Sequence, residues 1–295
     1  MIGSALSGQR AVVRENVSLA GRTTLRIGGP ARYLVEVHDA EALAALLRAA
    51  RAEGLPALAL GKGSNLLVPD AGFPGVVFTL SGDFLEIRLE APDVVAGGGA
   101  SLMALAVRAQ KAGLSGLENL SGIPSSLGGA VRINAGSYGS ELFEILVTVD
   151  LVSEAGERRT EPASGIAHGY RWTALCDTGD IVAGARLRLA PKPPAEIASR
   201  MAEVAAKRKS ALPHQANAGS IFKNPPGLFA GKLLEECGLK GRRVGGAEIS
   251  PVHANVIVNT GGATAADVAA LMDAMKKAVK ERFGVDLVPE IRVLG

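Results

Sequence analysis

A chain of 295 residues, 47% apolar and 21% charged, has the material for two or three domains with substantial cores, and this composition excludes a disordered chain. A net charge of +3 without basic clusters, together with only 4% aromatic residues, excludes the charged, base-stacking surface that holds nucleic acid; small anionic ligands suit the same balance. The first sixteen residues, MIGSALSGQRAVVREN, lack the apolar core of a signal peptide, and no unbroken apolar window of about 18 residues follows, so the expectation is a cytoplasmic protein without membrane attachment.

Taken in order, residues 32–37 alternate as a strand. Asp39 then caps an amphipathic helix that buries Leu43, Leu46, Leu47 and Ala50 and stops at Gly54, and a short apolar run at 57–60 completes a βαβ unit. A turn with a glycine pair, Gly28-Gly29, precedes this unit. Directly after it comes Gly61-Lys62-Gly63-Ser64-Asn65, a glycine loop at the carboxyl end of a strand, where α/β sheets place ligands. It is not a dinucleotide fingerprint, because the third glycine would fall at Leu66. Residues 227–233 are not a P-loop either, since the Gly-Lys pair comes one residue early and no Ser or Thr follows.

Short β-rich runs fill 76–96. Ser101 then caps a helix with Leu102, Leu105, Ala106 and Ala109 inward, and Gly113 stops it. That helix leads into GLSGLENLSGIPSSLGGAVRINAGSYG, residues 113–139, which holds seven glycines in 27 residues against about three to four expected from the whole chain. Glycine admits positive φ and lets backbone N–H groups turn toward an anion, so this stretch reads as a phosphate-binding wall; a purely structural glycine turn fits it equally well. Strands follow at 147–153 and 181–189. Pro191-Lys192-Pro193-Pro194 reads as a linker before a helix that buries Ile197, Met201 and Val204, and the main domain boundary is expected there. The remainder contains a glycine-rich polar loop at 217–227, a short helix from Gly231, a strand at 256–259, a helix capped by Thr264 and stopped by Gly284, and a final strand at 287–294. Cys176 and Cys237 are far apart, and His38, His168, His214 and His253 lack ligand spacing, so neither a disulfide framework nor a metal site is expected.

Two glycine loops, each after a β-element, suit a dinucleotide pyrophosphate. In this setting the order of motifs resembles the UDP-N-acetylenolpyruvoylglucosamine reductase family: TTLRIGGPA at 23–31, LGKGSNLL at 60–67, the stretch 113–139, GYR at 169–171, AGSIFKNP at 218–225, GGAEISPVHANVIVN at 245–259 and VPEIRVLG at 288–295. These motifs span nearly the whole chain, and the length resembles the compact subtype that lacks an extra tyrosine loop.

The resemblance implies a mixed α/β (α+β) fold: a two-part FAD-binding domain of the PCMH or vanillyl-alcohol-oxidase-like type, at 1–70 and 71–192, and a C-terminal α+β substrate domain at 195–286, with 287–295 returning to the first part. It implies non-covalent FAD, NADPH as co-substrate, a UDP-sugar substrate and a place in peptidoglycan precursor synthesis, with no obligatory protein partner. Matched to the family's motifs, Arg171, Ser220 and Glu290 are the catalytic candidates: a cation for the substrate carboxylate, a proton donor and an assisting carboxyl group. Arg26, Gly28, Gly61, Lys62, Gly63, Ser64, Asn65, Gly122, Ile123, Pro124, Ser125, Ser126, Gly128, Gly129, Asn134, Ala135 and Gly136 are the cofactor candidates, and Tyr170, Lys223, Asn224 and His253 the substrate candidates.

Two positions depart from the family pattern. Ser125 stands where glycine is usual, which costs about 1 kcal/mol if φ is positive there and otherwise offers a hydroxyl to a phosphate. Arg132 stands where an apolar residue is usual, and either reaches a flavin phosphate or faces solvent. A different flavin enzyme of the same fold and a non-catalytic nucleotide-binding module are the competing readings.

Overall fold

The computed structural model of the chain describes residues 1–294; Gly295, the last residue of the VPEIRVLG motif, lies outside them. The described chain forms two compact units, each assembled from separate segments: 1–15, 32–61 and 74–207 in the first, and 16–31, 62–73 and the described residues from 208 onward in the second.

The first unit holds two sheets. In one, the order is Ala11–Ser18, Pro30–Val37, Phe73–Leu80, Ala57–Ala59, the last two strands being parallel. The helix Ala40–Ala52 buries Ala42, Leu43, Leu46, Leu47 and Ala50, and the Asp39 carboxylate accepts from Ala42 N at 2.8 Å, the expected N-cap. The strand Ala11–Ser18 escapes the sequence patterns, because its residues are half-buried or exposed throughout and Arg14, Glu15 and Asn16 interrupt any alternation. The second sheet is antiparallel, in the order Arg158–Pro162, Leu146–Val152, Ile181–Arg188, Asp93–Gly97, Ile87–Glu90. The helices Leu102–Lys111 and Leu127–Arg132 share a core with it through Leu102, Leu105, Leu127, Val131, Val149, Leu151 and Leu187. The Ser101 side chain makes no capping bond; Leu102 N instead donates to Ser125 O at 3.0 Å, which ties the helix start to the glycine-rich stretch. The helix Pro194–Ala211 begins at the proline-rich segment and belongs to this unit through Lys207.

The second unit is built on an antiparallel sheet in the order Ala216–Ser220, Val256–Asn259, Ala247–Ile249, Arg243–Val244. Its core includes Ile221, Phe222, Leu234, Ile257, Val268, Leu271 and Met275. The helix Ala265–Phe283 starts in a reciprocal capping box of Thr264 and Asp267 and ends on Gly284 at φ 70°, as its sequence signals require. Residues 216–220 are a strand rather than the start of a polar loop. The small residues of ANAGS carry no β preference of their own, and pairing with Val256–Asn259 imposes it. The chain end returns as Arg292–Val293, parallel to Leu66–Leu67. No helix among the described residues is long and apolar enough to cross a membrane.

Candidate functional site

The chain passes from the first unit to the second within the glycine loop at residues 61–65. Gly63 has φ 60°, and a Cβ there would lie 2.3 Å from Arg22 O, so only glycine fits. Thr24 fixes the loop from one side: its N donates to Gly63 O at 3.0 Å and its hydroxyl to Asn217 O at 2.7 Å. The backbone N–H groups of Gly61, Lys62, Gly63, Ser64 and Asn65 find no acceptor among the described residues. Five successive unpaired donors with a lysine in their midst are what a diphosphate requires, so this loop fits the phosphates of FAD. Arg26 is exposed and left-handed at φ 57°, whereas Gly28 and Gly29 serve close packing: added Cβ atoms would lie 2.9 Å from Val68 Cβ and 2.1 Å from Asp70 O.

In the first unit, residues 122–130 are largely closed on themselves. Ile123 N donates to Leu120 O, Ser125 N to Ile123 O, Leu127 N to Ala100 O, Gly128 N to Gly98 O, and Gly129 N to Ser126 Oγ. Among the described residues only the N–H groups of Gly122 and Ser126 lack an acceptor here, and Pro124 has none to offer. Gly128 is small because a Cβ would meet Val182 O at 2.9 Å. Ser126 caps the helix Leu127–Arg132, and its Oγ lies 2.5 Å from the place where a Cβ on Gly61 would stand. Ser125 does not have positive φ; its hydroxyl donates to Ser126 O at 2.9 Å, so of the two readings of that position the strained one falls away. Arg132 is half-buried and donates to Asp180 O (3.0 Å), Cys176 O (3.2 Å) and Thr178 O (2.9 Å), pinning that turn. The bidentate Arg159 pair holds the Asp180 carboxyl below the usual carboxylate range against the opposing effect of burial.

Arg171 occupies the tip of a tight hairpin, His168–Gly169 paired with Trp172–Thr173. Its φ of 55° is left-handed, which costs a non-glycine residue about 1–2 kcal/mol, and the side chain is half-buried. The guanidinium donates to Gly136 O at 2.7 Å and lies over the Tyr170 ring, 5.0 Å from its centroid. Gly136 makes room for it, since a Cβ there would be 3.0 Å from Arg171 Nη1. Asn134, expected at the cofactor, is fully buried, and its amide is engaged with Glu141, Gly169 and Phe143; Ala135 is buried beside it.

In the second unit the later motifs converge. Glu290 N donates to Ile221 O (2.8 Å) and Lys223 N to Val288 O (2.9 Å), which lays the VPEIR segment along the Ser220-Ile221-Phe222-Lys223 segment. Asn65 Nδ2 donates to Glu290 O at 3.1 Å, joining the glycine loop to the same place. Ser220 is half-buried at the end of its strand, next to Gly219 at φ 75°, and its hydroxyl makes no hydrogen bond among the described residues. Asn224 is exposed and accepts from Ala230 N at 3.0 Å, capping the helix Ala230–Glu236. His253 packs against Gly231, accepts from Asn255 N at Nδ1 (3.2 Å), and is pushed below the ordinary imidazole range by burial and then by Lys240. Sequence reasoning passed over Asn255, whose side chain clasps Phe222 by both ends (N to Oδ1 3.0 Å, Nδ2 to O 2.8 Å) and so fixes the Ser220 segment. An asparagine inside the apolar run HANVIVN was the available signal. Among the described residues no group of three or more His, Cys, Asp or Glu is placed to hold a metal ion.

Comparison with known proteins adds an independent line. Residues 31–160 match the FAD binding domain family, and 212–294 match the C-terminal domain of UDP-N-acetylenolpyruvoylglucosamine reductase. The chain is 43% identical over 284 residues to UDP-N-acetylenolpyruvoylglucosamine reductase 2 of Symbiobacterium thermophilum, covering 96% of this chain and 92% of that one. The crystal structure of UDP-N-acetylenolpyruvylglucosamine reductase from Thermus caldophilus superposes with a TM-score of 0.84 at 42% identity, covering 97% of this chain and 99% of that one. Berberine bridge enzyme from Eschscholzia californica, at 17% identity and a TM-score of 0.50 over 66% of this chain and 44% of its own, is similar in fold alone.

Proposed function

We infer the residue roles that follow from the premise that this chain belongs to the UDP-N-acetylenolpyruvoylglucosamine reductase family. It is an FAD-dependent oxidoreductase that reduces UDP-N-acetylglucosamine enolpyruvate to UDP-N-acetylmuramate with NADPH, in peptidoglycan precursor synthesis. We place the reaction in the cytoplasm, and the ligands we propose are small molecules: the UDP-sugar and NADPH.

Reduction of an enol ether conjugated to a carboxylate adds hydride at the terminal methylene carbon and a proton at the carbon bearing the carboxylate. Bound FAD supplies the hydride, which no side chain can donate, and NADPH replenishes it. We assign its diphosphate to the unpaired N–H groups of residues 61–65, with Lys62 as the point charge. Arg171 answers the negative charge that develops on the substrate carboxylate. A preset guanidinium binds that charge more strongly as it grows, and so lowers the barrier rather than only the Michaelis constant. Ser220 donates the proton to the carbon next to the carboxylate: a serine hydroxyl is a weak acid, but an enolate-like carbon is basic enough to take its proton in good geometry. Glu290 assists that step, and Lys223 and Asn224 hold the UDP diphosphate or sugar. Tyr170, stacked on Arg171, borders the same group.

The observation that best supports these roles is the meeting of Ser220, Lys223 and Glu290 in one unit. About seventy residues separate Ser220 from Glu290 in the chain, yet their backbone segments are bonded side by side, with Asn65 attached. The test is anaerobic. NADPH should bleach the yellow flavin, and enolpyruvyl-UDP-N-acetylglucosamine should restore the colour; a flavin that substrate leaves reduced would overturn the assignment. Ser220→Ala should keep the bleaching and slow the recolouring by about 10²–10⁴-fold, the usual contribution of general acid catalysis.

A further inference from the structure

We propose that Asn134 is a positioning residue for Arg171, held in place by Glu141, rather than a contact of the cofactor. The proposal rests on the reading of Arg171 as the cation that meets the substrate carboxylate.

Asn134 has no exposed surface and takes a left-handed backbone at φ 45°, a conformation that asparagine tolerates better than most residues other than glycine. Its amide is fully used in one direction: Nδ2 donates to Glu141 Oε2 (2.7 Å) and to Gly169 O (3.1 Å), while Oδ1 accepts from Phe143 N (3.2 Å). These partners lie in two hairpins. One pairs Gly136–Ser137 with Ser140–Glu141 around a turn of Tyr138 (φ 50°) and Gly139 (φ 82°). The other pairs His168–Gly169 with Trp172–Thr173 and carries Arg171 at its tip.

Arg171 spans the same two hairpins in the opposite direction, from its own tip to Gly136 O at 2.7 Å. The two residues therefore close a ring: Asn134 fixes the backbone two residues before Arg171, and the guanidinium rests on the carbonyl two residues after Asn134. Glu141 belongs to this ring twice, through its bond to Nδ2 and through its Cγ, 3.1 Å from where a Cβ on Gly136 would stand and so on the same side as Arg171 Nη1. The far strand of the Arg171 hairpin has a separate anchor, Thr173 Oγ1 to Arg132 O at 2.6 Å. Loss of the Asn134 amide would thus release the near strand and tilt the tip while the far strand stays. A reacting group displaced by about 1 Å loses on the order of 100-fold in rate.

The test uses the FAD-loaded protein. Asn134→Gly is the first variant, because glycine accepts the left-handed backbone and only the amide is lost. The expected result is an NADPH bleaching rate within about 2-fold of the parent and recolouring by the enolpyruvyl substrate slowed by about 30–100-fold. In an Arg171→Ala background the same change should slow recolouring by no more than about 2-fold further, because a residue acting through Arg171 has nothing left to position. Asn134→Asp keeps the volume and the acceptor to Phe143 N but loses both donors; it should repeat the pattern and serves if the glycine variant does not fold. Equal loss of both half-reactions, additive losses with Arg171→Ala, or unchanged recolouring would each overturn the proposal. Failure of the parent protein to recolour, or an Arg171→Ala variant that recolours normally, would instead remove the assignment of Arg171 on which it rests.

Discussion

Two glycine-bearing segments of this chain differ in what their backbones leave open. Residues 61–65 present five consecutive N–H groups with no acceptor among the described residues, whereas residues 122–130 commit nearly all of theirs to the 97–102 segment and to the Ser126-capped turn. Steric need requires glycine in both: a Cβ would come within 2.3 Å of Arg22 O at Gly63 in the first and within 2.9 Å of Val182 O at Gly128 in the second, so the free donors, not the glycines, set the two apart. Glycine density therefore marks tight backbone packing, and the unpaired donors are what carries the proposed anion site.

The largest way to break this contrast is at Gly63. Gly63→Ala forces a Cβ against Arg22 O in a left-handed backbone, and the distorted loop should lose FAD affinity by about 100-fold or more, read by flavin titration of apoprotein. Retention of parental affinity would detach the cofactor phosphates from this loop. A smaller effect, with an informative sign, belongs to Ser125→Gly. The backbone there needs no positive φ, so glycine gains nothing, loses the hydroxyl bond to Ser126 O and adds chain entropy; the melting temperature should fall by a few degrees, about 1 kcal/mol. A rise would restore the strained reading of that serine.

The smallest effect concerns His253, whose folded pKa is depressed below 6.5 chiefly by burial. Between 6.5 and that lower value the unfolded chain binds more protons than the folded one, so stability is full above pH 6.5 and declines as pH falls through the window. His253→Gln should flatten the decline in melting temperature between pH 7 and pH 5; an unchanged slope would assign the acid sensitivity elsewhere.

Much of this architecture is legible in residue order because its signals are local. The helices Ala40–Ala52 and Ala265–Phe283 announce themselves by apolar spacing and by Asp39, Thr264 and Gly284 at their ends. Elements that depend on distant partners are not legible: the half-exposed strand Ala11–Ser18, the small-residue strand Ala216–Ser220, and a second unit gathered from three separate stretches of chain. The candidate site divides the same way. Motif order pointed to Arg171, Ser220 and Glu290, but the inward use of the Asn134 amide and of the Arg132 guanidinium depends on the carbonyls of residues 169, 176, 178 and 180, which no spacing rule brings near.

The contrast between the two loops is tested most directly by two variants measured for FAD affinity and for the melting temperature of the apoprotein. Ser64→Pro deletes one unpaired N–H from the open loop, while Gly128→Ala crowds the closed one against Val182 O. The account predicts that Ser64→Pro weakens FAD binding by about 10-fold or more with apoprotein melting within about 2 °C of the parent, and that Gly128→Ala lowers melting by about 3–8 °C with FAD affinity, measured where the variant remains folded, within about 3-fold. The reverse pattern, a stability loss from the proline and an affinity loss from the alanine, would contradict it.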